Sequence, residues 1–231
     1  MALTFDDGPG GSTAAILAVL TRYKVPATFF NIGVNMAARP SLVRVEARDG
    51  YVLGDHTWDH PDLVLLSAAG QAAELDRVSA EQWSLTRTVP CVFRPPGGDY
   101  DATTLRLAQQ RRMGVWLWSV DTQDWLADGS GSSSSWVQRI IRLAEAEGAQ
   151  LRHPVVLMHN QPIGNPATVS ALPADHPVLP LTWLQVRRAL AIPASCGPGG
   201  HAGGTKGSTG RPGRGVAWVS GGEDHARSDE A

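Results

Sequence analysis

Apolar residues along the chain follow two spacings, which predict two kinds of element. Short continuous apolar runs predict buried strands, and apolar residues that recur every three or four positions predict amphipathic helices. The first predicted strand ends near residue 5. Five more are predicted at residues 25–32, 51–55, 92–93, 115–120 and 155–158. The predicted helices begin at Ser12 and then cover residues 41–49, 67–86, 101–110 and 136–146.

The order of these elements predicts an α/β fold. Repeated strand-then-helix units are typical of parallel strands joined by crossover helices. Polar residues that follow several different strands favour a barrel-like closure, because such folds carry their chemistry at the carboxyl ends of the strands. A flat, doubly wound sheet is the structural alternative.

Two adjacent carboxylates, Asp6 and Asp7, stand where the first strand ends and a Gly-Pro turn begins. Successive side chains of a strand point to opposite sides, so this pattern predicts different tasks for the two: one holds a metal, and the other faces substrate or water. The alternative interpretation is a simple turn, since Asp, Gly and Pro are common turn residues.

Two histidines, His56 and His60, stand four residues apart. A helical turn would bring both imidazoles onto one face, at the separation that a single cation needs. Two His and one Asp make a three-ligand site with an open position for water, as in catalytic zinc centres. Histidines at this spacing also occur as ordinary surface or core residues.

Five short motifs follow one another at the predicted strand ends. They are Thr4–Pro9, His56–His60, Arg94–Gly98, Asp121–Trp125 and Leu157–His159. Together they resemble the five ordered motifs of the polysaccharide deacetylases of carbohydrate esterase family four, the NodB-homology domain. The resemblance covers roughly residues 1 to 173, and coincidence explains five spaced motifs far less well than one.

The resemblance implies a distorted, incomplete (β/α) barrel of about seven strands, and it implies roles for the matching residues. Asp7, His56 and His60 would bind the metal, which is Zn²⁺ or another divalent ion such as Co²⁺, and Asp6 would be the general base. Arg94 would hold Asp6 ionised and oriented, because its guanidinium fork pairs well with a carboxylate. Arg94 could instead be a surface or packing residue.

The last two motifs supply the general acid and part of the substrate site. His159 would protonate the leaving amine, with Asp121 as its orienting partner. Trp125 and Leu157 match positions that wall the acetyl methyl group, although large apolar residues after strands often belong to the core. Asp124 is interpreted as a loop-capping residue.

The third motif departs from the family pattern. Many relatives have a tyrosine in or near the position of Gly97-Gly98. A backbone N–H of this loop contributes to the oxyanion site in those relatives, and a backbone donor needs no side chain, so Gly97 can still supply it.

Length and charge limit the remaining possibilities. The 231 residues, 42% of them hydrophobic, suit one substantial core and a tail. Twenty basic and 22 acidic residues give a net charge of −2, and no basic run predicts a nucleic-acid or anionic-membrane partner. No apolar run is long enough to span a bilayer, and no basic-then-apolar leader opens the sequence.

The sequence therefore predicts a metal-dependent hydrolase that removes acetyl groups from N-acetylated glycans, such as peptidoglycan or chitin-type N-acetylglucosamine. Alternatives on the same fold are an O-acetyl esterase acting on xylan and a hydrolase of small amides or imides. A third alternative is an inactive, truncated glycan-binding homologue. We expect the full-length parent to be extracellular or associated with the cell wall.

Both ends of the chain depart from the resemblance. We expect Met1 to be a start codon assigned inside a longer gene. Residues 1–173 form the predicted catalytic domain, and residues 174–192 are predicted to be an aberrant closing segment caused by a frameshift near Pro173. Residues 193–231 are rich in Gly and poor in apolar residues, which predicts a disordered tail.

Overall fold

The computed structural model describes residues 2–127, 133–161 and 163–172. These residues contain seven parallel strands and seven α-helices, together with three short 3-10 turns. The strands are β1 (Ala2–Gly8), β2 (Ala27–Asn31), β3 (Val52–Asp55), β4 (Val92–Phe93), β5 (Gly114–Val115), β6 (Val120–Asp121) and β7 (Val155–His159). The helices are α1 (Thr13–Tyr23), α2 (Gly33–Ala38), α3 (Pro40–Arg48), α4 (Ala68–Thr86), α5 (Ala102–Gln110), α6 (Ser134–Gly148) and α7 (Pro166–Ala171).

Helix boundaries follow local hydrogen bonding. Ser67 accepts a bond from the Gly70 N–H at the start of α4, and Asp101 forms a reciprocal capping box with Thr104 at the start of α5. Both helices therefore begin where polar side chains satisfy their first backbone donors. The sequence prediction missed α2 and α7, which have six residues each and are too short to show a clear period.

The strands form one sheet in the order β5-β4-β3-β2-β1-β7-β6. The first strand, β1, lies inside the sheet, with β2 on one side and β7 on the other. Its pairing with β7 places Thr4 beside Leu157 and Asp6 beside His159. Residues from the two ends of the described chain therefore meet at the carboxyl end of β1.

The sheet curls until its two outer strands approach each other. Strands β5 and β6 lie at opposite edges, yet only residues 116–119 connect them. Five residue steps reach at most about 18 Å, whereas a flat sheet of seven strands would be about 29 Å wide. The flat alternative is therefore wrong, and the fold is the distorted, incomplete barrel that the sequence predicts.

One strand prediction fails at this closure. Residues 115–120 were expected to form a single buried strand, but they divide into β5, a connecting segment and β6. The carbonyls of Trp116 and Leu117 accept hydrogen bonds from the Arg94 side chain. The buried Arg94 guanidinium thus binds the backbone of the segment that connects β5 to β6.

The two faces of β1 have different surroundings. Leu3 and Phe5 pack against the helices, in a cluster with Ile16 and Leu17 of α1. The alternating residues Thr4 and Asp6 face the barrel interior and contact Arg94. The main apolar core thus lies between sheet and helices, while the barrel interior is polar near the carboxyl ends of the strands.

The C-terminal segments predicted from the sequence lie outside the described residues. The proposed segment at 174–192 and the tail at 193–231 are outside the described residues, as is the expected frameshift near Pro173. Among the helices described, none combines the length and apolar character needed to cross a bilayer.

Candidate active site

The site lies at the carboxyl ends of the strands. Asp6 and Asp7 end β1, His56 follows β3, Arg94 follows β4, and His159 ends β7. Because all seven strands are parallel, these ends open onto the same rim of the barrel. The fold thus gathers side chains that are up to 153 positions apart.

Asp7, His56 and His60 form a group with the geometry of a metal site. Asp7 Oδ1 lies 3.4 Å from His56 Nε2 and 3.5 Å from His60 Nε2, and the three ligand atoms lie within 4.8 Å of one another. Ligand atoms around a tetrahedral zinc with bonds of about 2.1 Å would be about 3.4 Å apart. Asp7 Oδ1 is buried and has no hydrogen-bond partner, so the residues fit a divalent cation.

The backbone at Asp7 corrects one prediction. Strand alternation was expected to send Asp6 and Asp7 to opposite sides, but Asp7 has a φ of 68° and the register of β1 shifts between Asp6 and Gly8. This bulge turns Asp7 onto the side of Asp6, whose Oδ2 lies 3.7 Å from His56 Nε2. Both carboxylates therefore face the same site.

The histidine motif is a loop and not a helical turn. Residues 56–60 have no helical hydrogen bonding, and Thr57 and His60 have φ values of 65° and 63°. The two imidazoles still come together, with ring centroids 5.0 Å apart. The predicted proximity is present, but the helical spacing that was used to explain it is wrong.

Hydrogen bonds and nearby charges set the orientation and the pKa values of the candidate metal ligands. His56 Nδ1 donates to the Arg94 carbonyl at 2.7 Å, which leaves Nε2 free to face Asp7. Burial alone would raise the pKa of Asp7, but the close approach and charge of His56, with smaller contributions from His159 and His60, lower it to about 2. Burial, together with the charge of His56, lowers the pKa of His60. A carboxylate and a neutral imidazole are the forms that bind metals.

Asp6 lies against the buried guanidinium of Arg94. Arg94 Nη1 donates to Asp6 Oδ1 at 2.7 Å and to Thr4 Oγ1 at 2.9 Å. The same guanidinium binds the carbonyls of Trp116 and Leu117. Asp6 is thus held by one oxygen, while its second oxygen points toward the histidine cluster.

His159 pairs with Asp124, which corrects the prediction that Asp121 is its orienting partner. His159 Nδ1 lies 2.7 Å from Asp124 Oδ1, and the His159 N–H donates to Asp124 Oδ2 at 2.9 Å. Asp121 instead accepts the Gln123 N–H at 2.8 Å. The chain turns after β6 into a 3-10 turn, Asp124–Ala127, so the second carboxylate of the motif and not the first reaches β7.

Residues at the start of α7 fix Asp124. Thr168 Oγ1 donates to Asp124 Oδ2, and Asn165 Nδ2 donates to the Asp124 carbonyl at 2.8 Å. Sequence reasoning missed both residues. Asn165-Pro166 followed by Thr168 is a recognisable helix start, but nothing in its spacing connects it to Asp124.

This environment makes His159 a stronger base than a free histidine. Burial would lower its pKa, but the hydrogen bond and charge of Asp124, with the charges of Asp6 and Asp7, raise it to about 9. The raised pKa favours the protonated form of His159, and its Nε2 is the nitrogen not used by Asp124. A protonated imidazole in this position can donate a proton.

Three further predicted residues lie in the elements that carry the site. Leu157 is buried on β7 two positions before His159, so it faces the same side of the strand. Trp125 is 49% exposed in the turn that begins at Asp124. Gly97 has a φ of 62° in the 3-10 turn Pro96–Gly98, a conformation that suits glycine.

Comparisons with known proteins find similarity to polysaccharide deacetylases. A family model described as polysaccharide deacetylase matches residues 1–116. Peptidoglycan-N-acetylglucosamine deacetylase PgdA of Listeria monocytogenes is 34% identical over 161 residues, which make up 69% of this chain and 32% of that protein. This chain thus spans about a third of the length of the Listeria relative.

A second relative and a solved structure cover larger shares. A peptidoglycan-N-acetylglucosamine deacetylase of Bacillus cereus is 31% identical over 179 residues, with 74% of this chain and 78% of that protein covered. The structure of a family 4 carbohydrate esterase from Streptomyces lividans in complex with acetate aligns with a TM-score of 0.65 and 31% identity. That alignment covers 75% of this chain and 83% of the esterase.

Proposed function

The chain belongs to the polysaccharide deacetylase family, and from this premise we propose that it is a metal-dependent hydrolase that removes acetyl groups from N-acetylated glycans. The observation that carries the proposal is the position of three groups on one rim of the barrel. These groups are the Asp7/His56/His60 cluster, the Asp6–Arg94 pair and the His159–Asp124 pair.

Asp7, His56 and His60 would hold the cation, and their mixed oxygen and nitrogen donors suit zinc and several other divalent ions. We propose Zn²⁺, with Co²⁺ as an ion that can replace it. When bound, such an ion acidifies its water ligand and polarises a neighbouring carbonyl group.

Asp6 acts as the general base in this proposal. Its Oδ1 is bound by Arg94, and Oδ2 is left to accept a proton from the attacking water. As the water oxygen bonds to the acetyl carbon, the proton passes to Asp6. Backbone N–H groups near Gly97 would stabilise the oxyanion, because the glycine conformation allows the main chain to approach substrate closely.

His159 acts as the general acid. Asp124 orients its imidazole and raises its pKa, which favours the protonated form that a general acid needs. When the carbon–nitrogen bond breaks, His159 donates this proton to the leaving nitrogen. The products are acetate and a free amino sugar, and Leu157 and Trp125 would contact the acetyl methyl group.

We propose N-acetylglucosamine in a glycan, such as peptidoglycan, as the substrate class. The Listeria and Bacillus relatives are both named for deacetylation of peptidoglycan N-acetylglucosamine, and this supports the same class for the chain. A cell-wall substrate lies outside the cytoplasm, so we also propose that the parent protein acts extracellularly or at the cell wall.

The test is release of acetate from an N-acetylglucosamine oligomer by the purified protein. We expect acetate release that a chelator stops and added Zn²⁺ restores. Acetylated xylan and a small cyclic imide serve as comparison substrates. Preferential release from xylan, or hydrolysis of the imide alone, would replace the proposed substrate class, and a lack of turnover with metal bound would indicate an inactive homologue.

A further inference from the structure

The loop that carries the two metal-site histidines has an unfavourable backbone. Thr57 and His60 both have positive φ values, and a β-branched residue such as Thr57 rarely adopts this region. Such a conformation persists only where neighbouring groups hold it. The loop, residues 56–60, therefore depends on contacts from the elements around it.

One side of the loop is held by the start of α2. The Gly33 N–H donates to the Thr57 carbonyl at 3.0 Å, and the Val34 N–H donates to the Trp58 carbonyl at 2.9 Å. Gly33 also leaves room for the Trp58 ring, because a Cβ at this position would lie 2.3 Å from Trp58 Cε3. The carbonyls of the loop thus have fixed donors.

The other side of the loop is held by Glu74 of α4. Glu74 Oε2 accepts the Trp58 N–H at 2.8 Å and the Asp59 N–H at 3.2 Å. Glu74 is only 8% exposed, although it is a carboxylate. Arg77, one turn further along α4, places its guanidinium 4.1 Å from the centre of the Trp58 ring.

We infer that Glu74 is a positioning residue for metal binding, which sets the distance between His56 and His60 by fixing the Trp58 and Asp59 N–H groups. This inference rests on the proposed metal site. A glutamate oxygen that binds both N–H groups keeps residues 58 and 59 turned toward α4, so His60 Nε2 stays near Asp7. Without this acceptor at the right distance, the loop can relax from its positive φ values and His60 can leave the ligand set.

Two substitutions separate the position of the acceptor from its charge. Glu74→Asp keeps the negative charge but shortens the side chain by one carbon, whereas Glu74→Gln keeps the length and a carbonyl acceptor but removes the charge. Glu81→Gln, about two turns further along the same helix, is the matched control. Zn²⁺ affinity of each purified variant is measured by competition with a chromophoric chelator, and thermal unfolding checks that each variant is folded.

We expect Glu74→Asp to bind Zn²⁺ about 10–100-fold more weakly, the range typical for loss of a residue that orients metal ligands. Glu74→Gln and Glu81→Gln should stay within about threefold of the unchanged protein. Unaltered affinity in Glu74→Asp would overturn the inference, as would an equal or larger loss in Glu74→Gln, since charge would then explain the effect. Failure of the unchanged protein to bind Zn²⁺ would instead overturn the proposed metal function and remove the basis of this inference.

Discussion

The two carboxylate oxygens of Asp6 have different surroundings. One oxygen can hold the side chain in place while the other remains able to accept a proton. Oδ1 lies 2.7 Å from Arg94 Nη1, while Oδ2 faces His56 at 3.7 Å. A charged hydrogen bond on one oxygen fixes the orientation of the carboxylate. The second oxygen can therefore approach a water molecule in a defined direction.

Asp6→Asn should retain Zn²⁺ and lose turnover. Asparagine has nearly the same shape but cannot take a proton from water, so we expect acetate release to fall by about 10²–10⁴-fold. Elemental analysis of the same samples reports the zinc content. His60→Ala is the matched control and should lose metal and activity together. Loss of zinc from Asp6→Asn would mean that the roles of Asp6 and Asp7 are exchanged.

Asp124→Asn should lower the alkaline limit of activity, and Asp121→Asn should not. We expect deprotonation of His159 to set this alkaline limit. The limit should lie between 6.5, the ordinary pKa of histidine, and about 9, because a bound cation offsets part of the carboxylate charge that raises the pKa. Removal of the Asp124 charge lowers the pKa of His159, so the pH profile of kcat should fall off at lower pH. A shift in Asp121→Asn of the same size would show that the other carboxylate acts on His159.

The same pair links stability to pH. The pKa of His159 is raised in the folded protein, so its contribution to stability is complete below pH 6.5 and is lost as pH rises through about 9. Asp124→Asn should weaken this dependence, since the charges of Asp6 and Asp7 still raise the pKa of His159. Urea unfolding at pH 6 and pH 10, with Asp121→Asn as the control, measures the difference.

At the scale of residues, the sequence identified the chemical groups but not all of their partners. Asp6, Asp7, His56, His60, Arg94 and His159 could be found because each stands at or just after a predicted strand. The choice between Asp121 and Asp124 depends on a 3-10 turn of four residues, and no hydrophobic period marks so short an element. The direction of Asp7 depends on one positive φ value, which residue spacing does not reveal.

At the scale of elements, the candidate metal site joins residues of a strand to a loop that α2 and α4 hold from both sides. Strand β1 supplies Asp7, whereas α2 and α4 fix the loop that supplies both histidines. Longer helices such as α4 could be predicted because their caps and their strong helix formers agree. The contacts that α2 and α4 make with the loop could not be predicted, because contacts between separate elements leave no pattern in a single stretch of sequence.

Gly33→Ala should weaken the packing of α2 against the loop of residues 56–60. The added methyl would meet the Trp58 ring at 2.3 Å, so the ring or α2 must move, at a cost of about 1–3 kcal/mol in the free energy of unfolding. Zn²⁺ affinity should fall as well, since Trp58 lies between the two histidines. Both quantities are measured by urea unfolding and chelator competition.

Gly70→Ala on α4 is the matched control. Its methyl would meet Leu66 Cβ at 3.3 Å, and alanine favours a helix more than glycine does. We expect little loss of stability and unchanged Zn²⁺ affinity. Equal behaviour of the Gly33 and Gly70 variants would show that Trp58 can adjust without moving the loop.

At the scale of the whole molecule, Arg94 joins three parts of the barrel. It leaves the end of β4, reaches Thr4 and Asp6 on β1, and binds the carbonyls of the segment between β5 and β6. The same side chain thus orients the proposed general base and binds the connection between the two edge strands. The sequence predicted its contact with Asp6 but not its part in closing the sheet, which depends on the curvature of all seven strands.

Arg94→Met should destabilise the protein because it leaves Asp6 buried without its partner. Loss of one member of a buried ion pair typically costs about 3–5 kcal/mol. The double variant Arg94→Met/Asp6→Asn should recover part of this loss, since it removes the uncompensated charge. Urea unfolding of the two single variants and the double variant gives the coupling energy. Additive effects would show that the pair contributes no energetic coupling.

The interior position of β1 in the sheet also has a consequence for biosynthesis. Thr4 donates a hydrogen bond to the Val156 carbonyl, 152 positions away, so one edge of the first strand stays without its neighbour until β7 has left the ribosome. At 5–20 residues per second this interval lasts roughly 8 to 30 s. During that time the nascent chain exposes an unpaired strand edge that chaperones can bind. Because β7 also carries His159, the proposed general acid joins the site in the same step that covers this edge, and the growing chain gains its full set of proposed catalytic residues only when β7 has paired with β1.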